Sequence, residues 1–217
     1  MTALPTSSAE SQDYSQQLCD LVQKKIVTSG GWISFSELMQ MALYTPELGY
    51  YSGGSQKFGT IKDGGGDFIT APQLTPLFAQ ALARQVAQGD VLELGAGTGL
   101  LAADLLLALE RLGQLPNQYY ILEVSNHLRF IQQENLKEKL PSALFEKVVW
   151  LGTLPTNFVG IMLGNEVLDA IPVHLLVKKN DALFERGVTF DQSLTWRDKP
   201  LEEVALNNLI DADALPS

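Results

Sequence analysis

A glycine-rich turn carries the strongest chemical signal in this sequence. Residues 91–101 read VLELGAGTGLL, in which an apolar strand leads into the turn and the turn opens a helix. Gly95 permits a tight turn, and Gly97 and Gly99 remove side chains where a ligand must approach the backbone. The start of the following helix offers free N–H groups and a partial positive charge. These features predict a binding site for a nucleotide-containing cofactor.

The spacing of the glycines distinguishes between two classes of cofactor. A dinucleotide site needs Gly-x-Gly-x-x-Gly, but the third position here is Leu100. The pattern Gly-x-Gly-x-Gly is instead typical of class I methyltransferases, whose cofactor S-adenosylmethionine has no pyrophosphate. Glu93 before the turn is also typical of methyltransferases, and we expect it to order the ammonium group of the ligand through water. Ala96 lies within the turn and is assigned to the same cofactor site.

A second carboxylate stands at the end of the next predicted strand. Residues 119–125 read YYILEVS, and Glu123 ends the apolar run. A carboxylate at the tip of this strand can accept hydrogen bonds from both hydroxyls of a ribose. The alternative interpretation is an ordinary solvated carboxylate at a strand end. The glycine turn upstream favours the ribose contact.

A third polar segment follows another apolar run. Residues 163–174 read LGNEVLDAIPVH, and ligands of open α/β sheets bind beyond the carboxyl ends of the strands. We therefore expect Asn165, Glu166 and Asp169 to lie beside the transferable methyl group. From spacing alone, a helix N-terminus with ordinary acidic residues explains the segment equally well.

Alternating strands and helices must bring these segments together. Apolar runs predict strands at residues 91–94, 119–124, 147–151, 159–163, 173–177 and 183–188. Helices are predicted at about residues 13–29, from Thr75 to Gln88 and at about residues 99–112. Another helix is expected to begin at the Ser34–Glu37 capping box and to end before Pro46, and a further one to begin after Ser125. This alternation predicts a Rossmann-like α/β sheet, parallel and with helices on both faces. We divide the chain into an N-terminal helical and glycine-rich loop region, residues 1–88, and a Rossmann-like S-adenosylmethionine-binding domain, residues 89–217.

Composition excludes several other classes of site. The formal net charge of −10 disfavours nucleic acid as a partner. Cys19 is the only cysteine, so neither an internal disulfide nor a cysteine-based zinc site is expected. His127 and His174 have no neighbours at metal-ligand spacing, and no metal is expected.

Membrane and export signals are also absent from the sequence. No apolar run approaches the roughly 20 residues that span a bilayer. The N-terminus lacks the basic and apolar segments of a signal peptide and the arginines of a mitochondrial transit peptide. We therefore expect a bacterial cytoplasmic location, or a mature form that has already been processed.

Four stretches resemble the MidA-type family of methyltransferases. They are ISFSELMQMALYTPELGYYS, GGDFITAPQLTPLFAQALA, VLELGAGTGLLAADLL and GNEVLDAIPVHLL, and the resemblance covers nearly the whole chain after about residue 13. That family is related to a mitochondrial complex I assembly factor that methylates an arginine of a respiratory NADH dehydrogenase subunit. The resemblance thus implies a class I methyltransferase whose substrate is a protein with a basic, arginine acceptor.

The resemblance also assigns residues to the site. It places Gly66, Asp67 and Phe68 on the wall of the cofactor site. It places Asn165, Glu166 and Asp169 at the reaction centre. Because a free guanidinium stays protonated, the site needs a carboxylate to orient it and accept its proton. Glu166 is the first choice for that role, with Asp169 or Asp67 assisting.

Length separates this chain from the family. Members of the family are much longer than 217 residues, so we expect the later strands of the sheet to be missing at the C-terminus. An exposed sheet edge favours pairing, and a homodimer is a candidate state. Three alternatives stay open. They are a non-catalytic S-adenosylmethionine-binding assembly factor, an NAD(P)-dependent oxidoreductase, which Leu100 argues against, and a nucleic acid methyltransferase, which the missing Pro-Pro-aromatic segment and the acidic charge argue against.

Overall fold

The computed structural model describes residues 9–52, 70–86, 89–180 and 182–201. Within these ranges the helices are α1 (Ala9–Thr28), α2 (Phe35–Tyr44), α3 (Ala71–Leu74), α4 (Leu77–Ala83), α5 (Leu100–Leu112), α6 (Asn126–Lys139) and α7 (Ser142–Phe145). The strands are β1 (Ile33–Ser34), β2 (Asp90–Leu94), β3 (Tyr119–Leu122), β4 (Val148–Leu151), β5 (Gly160–Gly164), β6 (Leu175–Lys179), β7 (Ala182–Asp191) and β8 (Ser193–Pro200). A short 3-10 helix covers Leu168–Ala170. None of the described helices is both long enough and apolar enough to cross a bilayer.

The chain forms two compact units. One comprises residues 54–170, and the other comprises residues 1–53 together with 171–217. This division differs from the sequence-based boundary at residue 88. The reason is that the strands after residue 170 form a separate antiparallel sheet, in which β7 pairs with β1, and do not extend the parallel one.

The unit of residues 54–170 contains a four-stranded parallel sheet. Its strand order is β4-β3-β2-β5, so β2 is central and pairs with both β3 and β5. Parallel neighbours need crossover connections, and α5 and α6 supply two of them. The predicted α/β fold with a parallel sheet and helices is confirmed.

Helix α5 provides much of the core of this unit. Gly99 caps its start and Gly113 its end, both in the left-handed conformation. Between these caps the helix buries seven apolar side chains: Leu101, Ala102, Ala103, Leu105, Leu106, Ala108 and Leu109. The buried strand residues Val91, Tyr119 and Ile121 belong to the same hydrophobic cluster. Burial on this scale fixes the start of α5 against the carboxyl end of β2.

Helix α6 begins at the cap that the sequence predicts. Ser125 Oγ accepts a hydrogen bond from the Leu128 N–H at 3.3 Å. The helix buries only three side chains, Leu128, Gln132 and Leu136, which are spaced four residues apart on one face. One polar side chain therefore lies in the middle of the apolar stripe of this helix.

The second unit combines α1 and α2 with an antiparallel sheet. Strand β7 pairs with β1, β6 and β8, and β6 and β7 overlap the strands predicted at residues 173–177 and 183–188. Val22, Ile26, Ile33 and Val188 form its buried core. The predicted capping box of α2 is confirmed, since Ser34 Oγ accepts the Glu37 N–H and the Glu37 carboxylate accepts the Ser34 N–H.

One local prediction needs correction, and one strand was not predicted. The helix expected from Thr75 to Gln88 is shorter, because α4 ends at Ala83. Beyond that residue the backbone forms hydrogen bonds between residues three apart, such as Gln85 N–H to Leu82 O. Strand β8 follows a tight reversal at Gln192, whose φ is +61°, and the sequence analysis did not predict it.

Candidate functional site

The three polar segments end at the same edge of the parallel sheet. Leu94, the last residue of β2, is in register with Leu122 of β3 and with Gly164 of β5. Three adjacent strands therefore end side by side. They are followed by the glycine turn, by Glu123 and by the segment that begins at Asn165. The expected convergence of these segments at the carboxyl edge is observed.

The turn after β2 needs glycine for its backbone conformation. Gly95, Gly97 and Gly99 have φ angles of +59°, +55° and +81°, a region that L side chains adopt only with strain. The Gly95 N–H donates to Leu122 O at 3.0 Å, and the Gly99 N–H donates to Ala96 O at 2.8 Å. The side chain of Ala96 is buried in the hydrophobic core. The turn is thus anchored to β3 on one side and to the core below it.

The turn also contacts the segment after β5. A Cβ atom on Gly95 would lie 2.8 Å from Val167 Cγ2, and one on Gly164 would lie 2.9 Å from Val167 Cγ1. Both distances are shorter than any normal carbon–carbon contact. Val167 therefore occupies a notch that exists because two facing positions lack side chains. This packing fixes the Asn165–Glu166 segment against the glycine turn.

Glu123 is a buried carboxylate with defined partners. Its side chain is 6% exposed. Oε1 accepts a hydrogen bond from the Ser125 N–H at 2.9 Å, and Oε2 accepts one from Gln132 Nε2 at 3.0 Å. Burial raises the pKa of Glu123, and these two hydrogen bonds together with nearby Arg129 oppose that rise. A carboxylate has about four lone-pair sites, so it can still accept hydroxyl donors.

Glu93 is more deeply buried and has a different partner. Its Oε2 accepts a hydrogen bond from the Tyr119 hydroxyl at 2.7 Å. Burial raises the pKa of Glu93 from 4.5 to about 7, the hydrogen bond from Tyr119 opposes the rise, and the charge of Glu123 adds to it. Burial beside Glu93 likewise raises the pKa of Tyr119 well above its ordinary value. A cationic group placed near Glu93 and Glu123 would relieve their mutual repulsion.

The predicted reaction-centre residues lie just beyond β5. Asn165 is half-buried, whereas Glu166 and Asp169 are exposed. Glu166 has a φ of +50°, which is uncommon for a residue with a side chain and turns the chain so that Val167 faces the glycine turn. The predicted residues Gly66, Asp67 and Phe68 lie outside the described residues.

Sequence reasoning missed the amide side chains that hold this site together. Gln132 Nε2 donates to Gly97 O at 3.0 Å as well as to Glu123, and Asn135 Nδ2 donates to Thr98 O at 2.9 Å. Trp150 Nε1 donates to Gln132 Oε1 at 3.0 Å. The available signal was the polar Gln132 on the apolar stripe of α6.

Comparison with known proteins assigns the chain to a family. The family described as "putative S-adenosyl-L-methionine-dependent methyltransferase" matches residues 73–216. The chain belongs to this family. The match includes the glycine turn, Glu123 and the segment after β5, and it supports a methyltransferase site in preference to a nicotinamide-dependent oxidoreductase.

Curated relatives and a solved structure agree with the family. The mitochondrial protein arginine methyltransferase NDUFAF7 homolog of Caenorhabditis elegans is 28% identical over 79% of this chain and 46% of the relative. Human NDUFAF7, a mitochondrial protein arginine methyltransferase, is 28% identical over 78% of this chain and 44% of the relative. The crystal structure of a Burkholderia thailandensis protein bound to S-adenosyl-homocysteine has a TM-score of 0.81 and 44% identity, over 95% of this chain and 56% of that one. The chain therefore spans about half the length of these relatives.

The notch at Val167 predicts the effect of a side chain at Gly95. We expect Gly95→Ala to lower the free energy of unfolding by about 2–4 kcal/mol, because left-handed strain adds to overpacking against Val167. Gly113→Ala is the matched control, since Gly113 also has a positive φ but its Cβ would meet nothing within 4 Å. Its loss should be only about 1–2 kcal/mol.

A double-mutant cycle separates the two contributions. In a Val167→Ala background, Gly95→Ala should lower stability no more than the Gly113→Ala control does, as measured by denaturant unfolding. If the losses in free energy of unfolding from the two substitutions simply add in the double variant, Val167 does not pack against the turn.

The pKa of Glu93 predicts a pH-dependent stability difference. Because the folded-state pKa is raised from 4.5 to about 7, the stability that the protonated carboxyl contributes is complete below pH 4.5 and is lost as the pH rises through 7. Glu93→Gln keeps a neutral acceptor for Tyr119, so the variant should be increasingly more stable than the wild type as the pH rises. At about 1.4 kcal/mol per pH unit, the difference reaches on the order of 3 kcal/mol.

This difference is measured by urea unfolding of both proteins at about pH 5 and about pH 8. Glu134→Gln, at an exposed position of α6, is the control and should show no such trend. A Glu93→Gln difference that stays constant with pH would contradict a neutral buried carboxyl.

Proposed function

We propose that this chain is the cofactor-binding part of an S-adenosylmethionine-dependent methyltransferase that acts on protein arginine. The observation that carries the proposal is the position of Glu123, a buried carboxylate held rigidly beside a left-handed glycine turn at one sheet edge. A carboxylate in that place can accept both hydroxyls of a ribose.

The residues present suit S-adenosylmethionine. Glu123 supplies acceptors for its ribose, and Glu93 is a carboxyl group that ionises more readily as the cationic amino acid portion approaches. Val124, next to Glu123, is 67% exposed and offers an apolar contact for the purine ring. The three glycines bring backbone rather than side chains to the ligand. Support also comes from the 44%-identical Burkholderia protein, whose structure contains S-adenosyl-homocysteine.

In methyl transfer the protein does not form a covalent bond to the methyl group. The cofactor supplies an electrophilic methyl group on a sulfonium. The residues after β5 must then orient an acceptor nitrogen and keep water from competing. Val167 fixes this segment against the glycine turn, so Asn165 and Glu166 lie next to the cofactor-binding edge.

An arginine acceptor adds a requirement for carboxylates. The guanidinium is cationic, so one nitrogen must give up a proton to act as the nucleophile. In the proposed role, a Glu166 carboxylate oxygen pairs with the guanidinium and accepts that proton as the carbon–nitrogen bond forms and the methyl–sulfur bond breaks, with S-adenosyl-homocysteine as the leaving group, and Asp169 assists. The curated relatives at 28% identity are named protein arginine methyltransferases, which supports this acceptor.

The resemblance to the MidA-type family suggests the identity of the substrate. A subunit of respiratory NADH dehydrogenase, or a related protein with an accessible arginine, is the proposed partner. The alternative is a non-catalytic assembly factor that binds the cofactor without transferring its methyl group.

Replacement of Glu166 tests the proposed reaction. We expect Glu166→Gln to lower methyl transfer from labelled S-adenosylmethionine to purified NADH dehydrogenase subunits by roughly 100-fold or more, because the general base is lost. Cofactor affinity should stay within about twofold of wild type. Arginine methylation is read by mass spectrometry, and Glu134→Gln on the exposed face of α6 is the control.

Two results would count against this assignment. An equal loss of transfer and of cofactor affinity in Glu166→Gln would mean that Glu166 belongs to the cofactor site and not to the reaction centre. Cofactor binding by the wild-type chain without transfer to any subunit would favour the assembly factor.

A further inference from the structure

Helix α6 holds two consecutive carbonyls of the glycine turn. Gln132 Nε2 donates to Gly97 O at 3.0 Å, and Asn135 Nδ2 donates to Thr98 O at 2.9 Å. The two donors are three residues apart, so they share one face of the helix. A Cβ atom on Gly99 would lie 3.4 Å from Gln132 Cα, which shows how closely the helix approaches the turn.

The Gln132 amide has a single chemically consistent orientation. The indole N–H of Trp150 is only a donor, so the atom facing it must be the amide oxygen. Gly97 O is only an acceptor, so the atom facing it must be the amide nitrogen, which also lies 3.0 Å from Glu123 Oε2. All three partners are satisfied at 3.0 Å in this orientation, and Gln132 is completely buried.

We propose that Gln132, oriented by Trp150, is a positioning residue that sets the glycine turn and the Glu123 carboxylate in the geometry the cofactor requires. This inference rests on the proposed cofactor site and goes beyond it. Gln132 belongs to neither element that contacts the ligand, yet one amide group joins them.

The hydrogen bond to Gly97 O orients the turn. In a trans peptide the C=O and N–H groups point in opposite directions. Because Gly97 O points to α6, the Thr98 N–H points away from the helix. A donor is thereby presented on the side of the turn that is opposite Gln132.

The hydrogen bond to Glu123 fixes the carboxylate plane. Ser125 N–H occupies one oxygen and Gln132 the other, so the carboxylate cannot rotate without losing both bonds. A fixed carboxylate plane gives the unoccupied acceptor capacity of Glu123 a defined direction, as hydrogen bonding to a ribose hydroxyl requires. The charged groups around this carboxylate are Glu93 on β2 and Arg129 on α6, whose guanidinium donates to Glu123 O at 3.2 Å.

Calorimetric titration with S-adenosyl-homocysteine tests the role of Gln132. We expect Gln132→Met, which preserves volume but has no amide, to weaken affinity roughly 10- to 100-fold, as for loss of a hydrogen bond to a charged group. Gln133→Met is the matched control, because Gln133 is the exposed neighbour on the same helix, and it should bind as wild type does.

Gln132→Glu provides a readout that a purely structural role would not change. The carboxyl group that this substitution introduces can donate one hydrogen bond to Glu123 when it is protonated, whereas it repels Glu123 when it is ionised. Affinity of this variant should therefore stay below that of wild type near pH 5, because the bond to Gly97 O remains lost, and should fall much more steeply than wild type toward pH 8. Trp150→Phe, which keeps an aromatic ring but removes the indole N–H, should give an intermediate loss.

The outcomes separate this inference from the proposed function. Wild-type affinity in Gln132→Met, or equal weakening of Gln132→Glu at every pH, overturns the positioning role while the cofactor site stands. If Gln132→Met does not fold, the pH profile of Gln132→Glu and the affinity of Trp150→Phe decide. Absence of binding by the wild-type chain overturns the cofactor site and the positioning role together.

Discussion

Three residues of the turn after β2 have positive φ angles, and a side chain at any of them would cost about 1–2 kcal/mol in backbone strain alone. Gly95, Gly97 and Gly99 therefore let the chain reverse over a few residues, from a central strand into α5. The buried stripe of α5 fixes the start of the helix, and the Gly95 N–H fixes the turn to β3. The notch for Val167 exists because this turn has no side chain at Gly95, so the position of the segment after β5 depends on it too.

Burying two carboxylates at one sheet edge is unfavourable unless hydrogen bonds compensate. The two carboxylates differ in their hydrogen-bond partners and in their depth of burial. Hydrogen bonds from Ser125, Gln132 and Val124 oppose the rise that burial causes in the pKa of Glu123, whereas Glu93 accepts from Tyr119, lies deeper and has its pKa raised to about 7. This difference leaves one carboxylate as an acceptor for hydroxyl groups and the other as a group that ionises more readily when a cation approaches. The amide of Gln132 connects this electrostatic arrangement to the backbone of the turn.

Much of the sheet and the glycine turn were predictable from local patterns. The glycine turn, the strand before Glu123 and the cap at Ser125 each have a signature within a few residues, and the structure confirms these elements. Gln132 and Trp150 were not predicted, because their roles depend on contacts between residues 18 to 35 positions apart. The pairing within the second unit was not predicted for a related reason. Strand periodicity in residues 173–188 does not reveal that β7 pairs with β1, where Val188 is in register with the distant Ile33.

The central claim, that the glycine turn binds S-adenosylmethionine, is tested most directly by calorimetric titration of the chain with that cofactor. Wild type, Gly97→Ala and Gly113→Ala are compared, since both glycines have positive φ but only Gly97 lies in the turn after β2. We expect saturable binding to wild type and Gly113→Ala, with a loss of at least roughly tenfold in affinity for Gly97→Ala, corresponding to about 1.4 kcal/mol. Equal affinities of the two variants, or no binding by the wild type, would contradict binding at this turn.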